Sequence, residues 1–496
     1  MAILALYDVM GIQKFIFGSK KLKENIGASE IVRSVIEDDI AEIMKEIFDG
    51  KFYSDWNKDE LQGLQMKNGD IDAELIYAGG GNAMMIFDES ANAVAFTKKF
   101  SEHILKVTAG QLKVAVEYLD VSPEKDSFNV KNSEIRKKIR MTKYSRKDSA
   151  PLLGIGITKD GIDGLPCSFE KDGDFLSLAS KLKLDKSGVQ QGNNYPLEFD
   201  DMTDKGVSSF IGVVHIDGND MGQAVASALA GAGTFSEKVK HMRELSKKVD
   251  KVYKDAFSKT IEDLKKKNGK IPVRPLIMSG DDVTFVCEGK IAIKLAEKFL
   301  INMTDSLNVN GQEIKLSACA GIAIVNSHFP FYQAYELAEN LCSSAKKKAK
   351  MLNSEGCWMD YHIVFSGLTG DIPSLRKDTY VVPGMTAPAL INNNYKTYNL
   401  LLRPWCVKGN ADSKYQWSKF IEMFNELKKW PRSRLKTLRN RFLEGESSVT
   451  SYVRECESRG YELPKFNSMK DEFSGYQTPY FEALEILEFC NSGEGQ

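Results

Sequence analysis

The chain has 496 residues, a formal net charge of −1 and 42% hydrophobic residues. That length holds about three domains with ordinary cores, and the near-neutral charge excludes a protein whose whole surface grips nucleic acid. Eight cysteines without a CxxC pair indicate neither a disulfide framework nor a zinc ribbon.

In chain order, residues 2–8 form an apolar run ending in Asp8, with no basic leader or cleavage site before it. This reads as a first strand and not a signal peptide. No apolar run approaches a membrane span, so a soluble protein of the reducing cytoplasm is expected. Gly11 to Phe17 follows, then a polar turn. Gly27, Ala28 and Ser29 are expected to open a helix over about 30–48, with Ser29 as its N-cap and Ile31, Val35, Ile36 and Ile40 as its buried stripe. Strands are expected at 74–77 and 83–87, joined by Ala78-Gly79-Gly80-Gly81-Asn82, then a helix at 91–108 and a strand at 112–119. Strand, helix, hairpin, helix, strand is the order of a ferredoxin-like palm.

The same order recurs. A strand at 210–217 precedes helices over about 221–266, interrupted at Gly231-Ala232-Gly233. A hairpin around Ser279-Gly280-Asp281-Asp282 follows, then a helix at 290–307, a strand at 314–325 and a helix at 332–350. The chain thus carries an internal repeat in which Asp8 matches Asp217, and the hairpin at 79–82 matches that at 279–282. The fold expected is α+β: a first palm (1–120), an insert (121–205), a second palm (206–367) and a C-terminal helical domain (368–496). The insert opens on a basic stretch, 131–147, with Arg136, Lys137, Lys138, Arg140, Lys143, Arg146 and Lys147. After a Pro-punctuated connector, amphipathic helices are expected at 413–429, 433–443, 448–459 and 480–490.

The chemistry concentrates in two stretches. Ile211 to Asp217 is an apolar run with an acid at its tip, and Leu276 to Val286 is a hairpin with an acidic turn. Side by side, they bring Asp217, Asp281 and Asp282 together, and carboxylates that close stay ionised only around a cation. Hard oxygen ligands suit Mg²⁺ or Mn²⁺, and two such ions serve nucleotidyl transfer. Asp217 and Asp281 are the first-choice ligands; Asp282 and Asp220 come second. Any one of these acids alone reads first as a turn residue or helix cap; the metal reading rests on the whole set. Gly280 leaves room for a phosphate. The hairpin Gly79-Gly80-Gly81-Asn82 lacks acids, so the first palm is read as non-catalytic; its backbone amides could cradle a second triphosphate, or the segment is a plain tight turn.

These residues resemble a known family. Asp8-Val9-Met10-Gly11-Ile12-Gln13-Lys14-Phe15-Ile16, the Gly27-Ala28-Ser29 segment, the run from Ile211 to Gly222 and Ser279-Gly280-Asp281-Asp282 look like the large polymerase/cyclase subunit of type III CRISPR effector complexes. Ser317-Ala318-Cys319-Ala320-Gly321-Ile322 and the helix from Ala334 to Lys350 match its second palm. The resemblance implies two palms and a helical domain, a Gly-Gly-Asp-Asp hairpin that makes cyclic oligoadenylate from ATP, a nucleotide contact by Ser29, and a triphosphate contact by Lys346 among Lys346, Lys347 and Lys350. It also implies CRISPR-type protein subunits or RNA as partners.

There are departures. Ser279 replaces the first Gly of the hairpin, and Asn219 holds the slot of a third carboxylate, with Asp220 next door. The inter-palm segment has only Cys167, so no zinc is expected there. The chain opens at the first palm without an HD nuclease domain, which the resemblance reads as a stand-alone relative. The basic stretch 131–147, Arg432 and Arg434 are read either as RNA or product contacts or as solvated surface, and His215 as a packed sheet residue. Three functions follow: a cyclic oligonucleotide synthase, a non-catalytic nucleotide- or RNA-binding scaffold, and, ranked last because no Glu-Phe follows the hairpin acids, a diguanylate-cyclase-like enzyme.

Overall fold

The computed structural model describes the chain except residues 59, 67–69, 146–157, 162–163, 172, 189–193, 204–208, 268, 366–370, 384–396, 467–472, 474–476 and 490–496. Arg146, Lys147 and the end of the last expected helix lie outside the described residues.

The first palm comprises β1 (Ala2–Met10), α1 (Ile12–Phe17), α2 (Leu22–Glu37), α3 (Asp39–Phe48), β2 (Phe52–Tyr53), β3 (Ala73–Gly79), β4 (Asn82–Phe87), α4 (Ser90–Val107) and β5 (Lys113–Val121). Its sheet runs β2-β3-β4-β1-β5. Then come α5 (Phe128–Ser145), β6 (Cys167–Lys171), β7 (Asp174–Ser177) and α6 (Leu178–Ser187). The second palm comprises β8 (Phe210–Gly218), α7 (Met221–Ala228), α8 (Phe235–Ile261), β9 (Val273–Ser279), β10 (Asp282–Glu288), α9 (Ala292–Asn302), β11 (Ser306–Val309), β12 (Gln312–Lys315), β13 (Ala318–Asn326), α10 (Phe331–Met351) and β14 (Gly356–Ile363). The remainder contains α11 (Ile372–Tyr380), β15 (Val381–Pro383), β16 (Thr397–Asn399), β17 (Trp405–Gly409), α12 (Trp417–Leu427), α13 (Arg432–Glu444), α14 (Glu446–Ser458) and α15 (Tyr480–Glu485). The architecture is α+β, two palms and a C-terminal helical region.

The second sheet runs β17-β14-β13-β8-β10-β9. Its segment β13-β8-β10-β9 repeats β5-β1-β4-β3, and the register repeats too: Asp8 faces Asn82 as Asp217 faces Asp282. Helix α5 follows β5 as α10 follows β13, so the basic stretch of the insert is the first palm's copy of α10. Strand β17, from the C-terminal region, closes the second sheet's edge beside β14.

Four local expectations are corrected. Ser29 is no N-cap: α2 begins at Leu22, because Leu22 and Ile26 extend the buried stripe of Ile31 and Val35 by about two turns. Gly27 lies inside that helix, where a Cβ would run into the Lys183 carbonyl of α6; close helix packing outweighs a propensity cost of about 1 kcal/mol. The expected helix 30–48 is two helices, broken at Asp38. The expected helix 290–307 stops at Asn302, and the expected strand 314–325 divides into β12 and β13, since β11 and β12 pair as a hairpin around Asn310 and Gly311, both at positive φ.

The palms share one core. Phe17 stacks on Tyr335 with centroids 3.9 Å apart, within a cluster that joins α1–α3 to α10 and to one face of β8. Each palm's leading helix also grips the other palm's hairpin strand. From α8, fully buried Arg243 donates to the carbonyls of Leu75 (2.8 Å) and Ile76 (3.1 Å) in β3 and pairs with buried Glu74 at 2.8 Å. From α2, the Ser29 hydroxyl donates to the carbonyl of Leu276 in β9. Ile76 and Leu276 occupy corresponding places in the two copies, so the clamps are pseudo-symmetric.

Candidate functional site

Strand alternation aims the acids. Ile211 and Val213 of β8 and Val286 of β10 pack on the inter-palm side, whereas Val214, Ile216 and Phe285 pack on the opposite one. His215 and Asp217 share parity with Val213, and Asp282 and Thr284 with Val286. Asp217 and Asp282 therefore face each other across the ladder, on the side of α10 and the first palm. The two hairpins differ in their turns. Gly80 and Gly81 both take positive φ (58° and 78°), which is a type I′ turn that Gly-Gly satisfies. In the second hairpin only Gly280 does (61°), a type II′ turn whose second position tolerates a side chain, and Asp281 fills it.

The Asp281 side chain lies over Gly218: a Cβ there would sit 2.8 Å from Asp281 Oδ2. Gly218 is thus a place where β8 has no room for a side chain. Burial, then the charge of Asp217, raise the Asp281 carboxyl above its ordinary range. Asp282 is pushed well above it by burial, Asp217 and Asp281 together. Its side chain keeps 35% exposure, yet Oδ1 is enclosed and meets no hydrogen-bond donor; His215 Nδ1 lies 3.6 Å away and is committed to Thr284 Oγ1 at 3.0 Å. Burial holds His215 down at about 4, so it is neutral, a packed sheet residue as expected.

Lys346 of α10 supplies the cation beside Asp217, with Nζ 2.6 Å from Oδ2 and 2.7 Å from the Gly218 carbonyl. Burial pulls its pKa down, but the Asp217 charge prevails and the net shift is upward. Asp220 caps α7 and pairs with Lys350 at 3.3 Å. Asn219 donates to Ser317 Oγ at 2.9 Å, on the β13 side. Gly280 N donates to Asp250 Oδ1 at 3.3 Å, and a Cβ at Gly280 would meet nothing within 4 Å, so the turn is sterically open.

The hairpin tips touch: Gly80 N donates to Ser279 Oγ at 2.8 Å. Gly79 and Gly80 have open space where a Cβ would stand, Gly81 packs under Ile12, and the Asn82 amide donates to the Gly80 carbonyl at 3.0 Å. The structure therefore brings Asp217, Asp281, Asp282, Gly280 and Lys346 together with the glycine hairpin of the first palm. Ser29 is engaged with Leu276 one layer away.

Sequence reasoning missed four participants. Lys143 of α5 grips both oxygens of Asp8 at 2.9 Å, the counterpart of Lys346 on Asp217; the repeat, had it been carried one helix further, would have flagged it. Gln13 reaches Glu339 of α10 at 3.2 Å across the palms, and Asp250 and Tyr253 of α8 underlie the acidic turn. No local signal marks Asp250 and Tyr253, whereas Gln13 lies in the segment from Asp8 to Ile16 quoted above.

A divalent cation is tested by the donor set. Three carboxylates, two of them resisting ionisation and one with an enclosed oxygen lacking a donor, are the hard ligands that Mg²⁺ and Mn²⁺ take. Among the described residues, no three or more His, Cys, Asp or Glu side chains are placed so as to hold a metal ion. The donor chemistry fits, and Lys346 occupies one oxygen of Asp217.

Two palms in one chain, one with an acidic tip and one with a glycine tip, define a two-palm architecture. Residues 210–354 match the family model described as Cas10/Cmr2, second palm domain. The whole chain also superposes on solved chains of a Csm1–Csm4 cassette. One, in complex with pppApA, has a TM-score of 0.55 at 13% identity, covering 99% of this chain and 69% of that one. Another, with AMPPNP, gives 0.54 at 14%, covering 98% and 69%; a third, with one ATP, gives 0.53 at 15%, covering 99% and 70%. Residues 210–354 are thus similar to a Cas10/Cmr2 second palm, and the likeness over the whole chain shows a shared fold. No curated protein matches the chain by sequence. Among the described residues, no helix is long and apolar enough to cross a membrane.

Proposed function

We propose that the chain is a metal-dependent nucleotidyltransferase that joins ATP, or another nucleoside triphosphate, into cyclic oligonucleotides serving as an antiviral signal. The observation that carries this reading is the register of Asp217 opposite Asp282, with Asp281 on the adjoining turn and the first palm's glycine hairpin in contact with it. Asp217, Asp281 and Asp282 would hold two divalent ions, with Asp220 in reserve; such ions lower the pKa of an attacking hydroxyl and offset charge on the leaving pyrophosphate. Lys346 passes from Asp217 to the triphosphate, so its charge is kept in the site throughout. The open turn at Gly280 admits the phosphates of one nucleotide. Gly79, Gly80, Gly81 and Asn82 cradle the second, whose hydroxyl attacks. The division at 120, 205 and 367 remains our domain proposal.

Nucleotide is the first partner. The neighbours' cassette supports a Csm4-like protein subunit as a second, and the exposed Lys137, Lys138 and Arg140 of α5 support RNA as a third. Incubating the protein with labelled ATP and Mn²⁺, followed by thin-layer chromatography, tests the activity. Asp281→Ala with Asp282→Ala is expected to abolish product and leave the fold intact; product from that double variant removes the site.

A second reading, a non-catalytic nucleotide-binding scaffold, draws on the Lys346–Asp217 pair, which leaves Asp217 neutralised without an ion. It requires that no triphosphate be turned over with Mn²⁺ or Mg²⁺ by the chain alone or with its partner subunit.

A further inference from the structure

The side of the acidic turn away from the first palm is built by α8. Asp250 and Tyr253 lie one turn apart on that helix and so share a face. Asp250 takes the amide of Gly280. Tyr253 is 1% exposed, and its hydroxyl, fully enclosed, has no hydrogen-bond partner. Buried hydroxyls are ordinarily paired, and one that is not calls for a reason. The reason is at Gly218. A Cβ on that residue would meet Asp281 Oδ2 at 2.8 Å and Tyr253 OH at 2.9 Å, so both oxygens converge on one spot above the strand. Asp281 also exerts the largest charge effect on the phenol. Burial of the ring is shared with Phe299, 6.1 Å away in α9, which leaves the hydroxyl little freedom to turn elsewhere.

We propose that Tyr253 is a positioning residue: its hydroxyl donates to Asp281 when that side chain ligates a divalent cation. The inference rests on the reading of Asp281 as a metal ligand. One carboxylate oxygen then faces the ion and the other accepts from Tyr253, fixing the carboxylate plane. Hydrogen bonds of this outer kind orient ligands and raise metal affinity. Gly218 is then required twice, as room for Asp281 and as room for the bond.

Tyr253→Phe tests this in the full chain. Free Mn²⁺ is followed by electron paramagnetic resonance during a titration, and thermal unfolding is followed without metal. Because the hydroxyl is unpaired in the metal-free chain, its unfolding midpoint is expected to be unchanged or higher. Mn²⁺ binding is expected to weaken about tenfold. In turnover assays the Mn²⁺ concentration for half-maximal rate should rise by the same factor while kcat at saturating Mn²⁺ is largely kept. Equal Mn²⁺ affinity in Tyr253→Phe and wild type overturns the proposal and leaves the metal site standing. A lower midpoint without metal also overturns it, because the hydroxyl would then have a structural partner. Wild-type protein that binds no more Mn²⁺ than Asp281→Ala with Asp282→Ala overturns the underlying site instead.

Discussion

Replacing Arg243 by Met isolates what holds the two palms in register. The guanidinium makes five hydrogen bonds: to the carbonyls of Ile76, Leu75, Gln62 and Gly63, and to Glu74 Oε1. Both Arg243 and Glu74 are fully buried. Removing the arginine leaves Glu74 with only the amides of Gln65 and Met66, and breaking a buried pair from one side costs about 3–5 kcal/mol. At 1.4 kcal/mol per factor of ten, the equilibrium toward the opened state rises roughly a hundredfold to several thousandfold. Urea unfolding at neutral pH, followed by circular dichroism, measures this as a lower midpoint. Arg243→Met combined with Glu74→Met should cost less than Arg243→Met alone, because no charge is stranded. Because Gly80 N meets Ser279 Oγ across the same boundary, loosening the clamp is also expected to lower turnover before the chain unfolds. A loss of less than about 1 kcal/mol in Arg243→Met, or a double variant worse than the sum of the singles, would refute the argument that this pair locks the palms.

Gly218→Ala places a methyl 2.8 Å from Asp281 Oδ2 and 2.9 Å from Asp281 Cβ; displacing that carboxylate by an ångström is expected to cut product formation about a hundredfold while the strand's circular dichroism is retained. His362, buried beside Arg403 and Arg376, is held down at about 3, by burial first and those charges next. Its folded pKa lies below the unfolded value, so its share of stability is complete above pH 6.5 and is lost as pH falls toward 3; the slope is about 1.4 kcal/mol per pH unit. His362→Gln should remove that slope between pH 6.5 and 5.5 in denaturant titrations, and an unchanged slope would exclude this assignment.

Local pattern alone determined a good deal of this protein. Alternation in β8 and β10 with acids at their tips set which side Asp217 and Asp282 share, because side chains in a strand repeat every two residues and neighbours differ by half a period. The repeat of strand, helix and hairpin named the two palms, and acids in one hairpin against glycines in the other told their tips apart. Tertiary packing decided the rest. Ser29 looked like a helix start beside Gly27, but α6 packing over Gly27 and the buried Leu22 and Ile26 carry the helix back about two turns, leaving its hydroxyl to clamp β9. Strand β17 reaches the second sheet from beyond residue 400, and Lys143 finds Asp8 across 135 positions. Tyr253 stands under Asp281 only because Gly218 leaves the gap. Such pairings are set by which surfaces the core brings together, and no short-range periodicity encodes a partner that far along the chain.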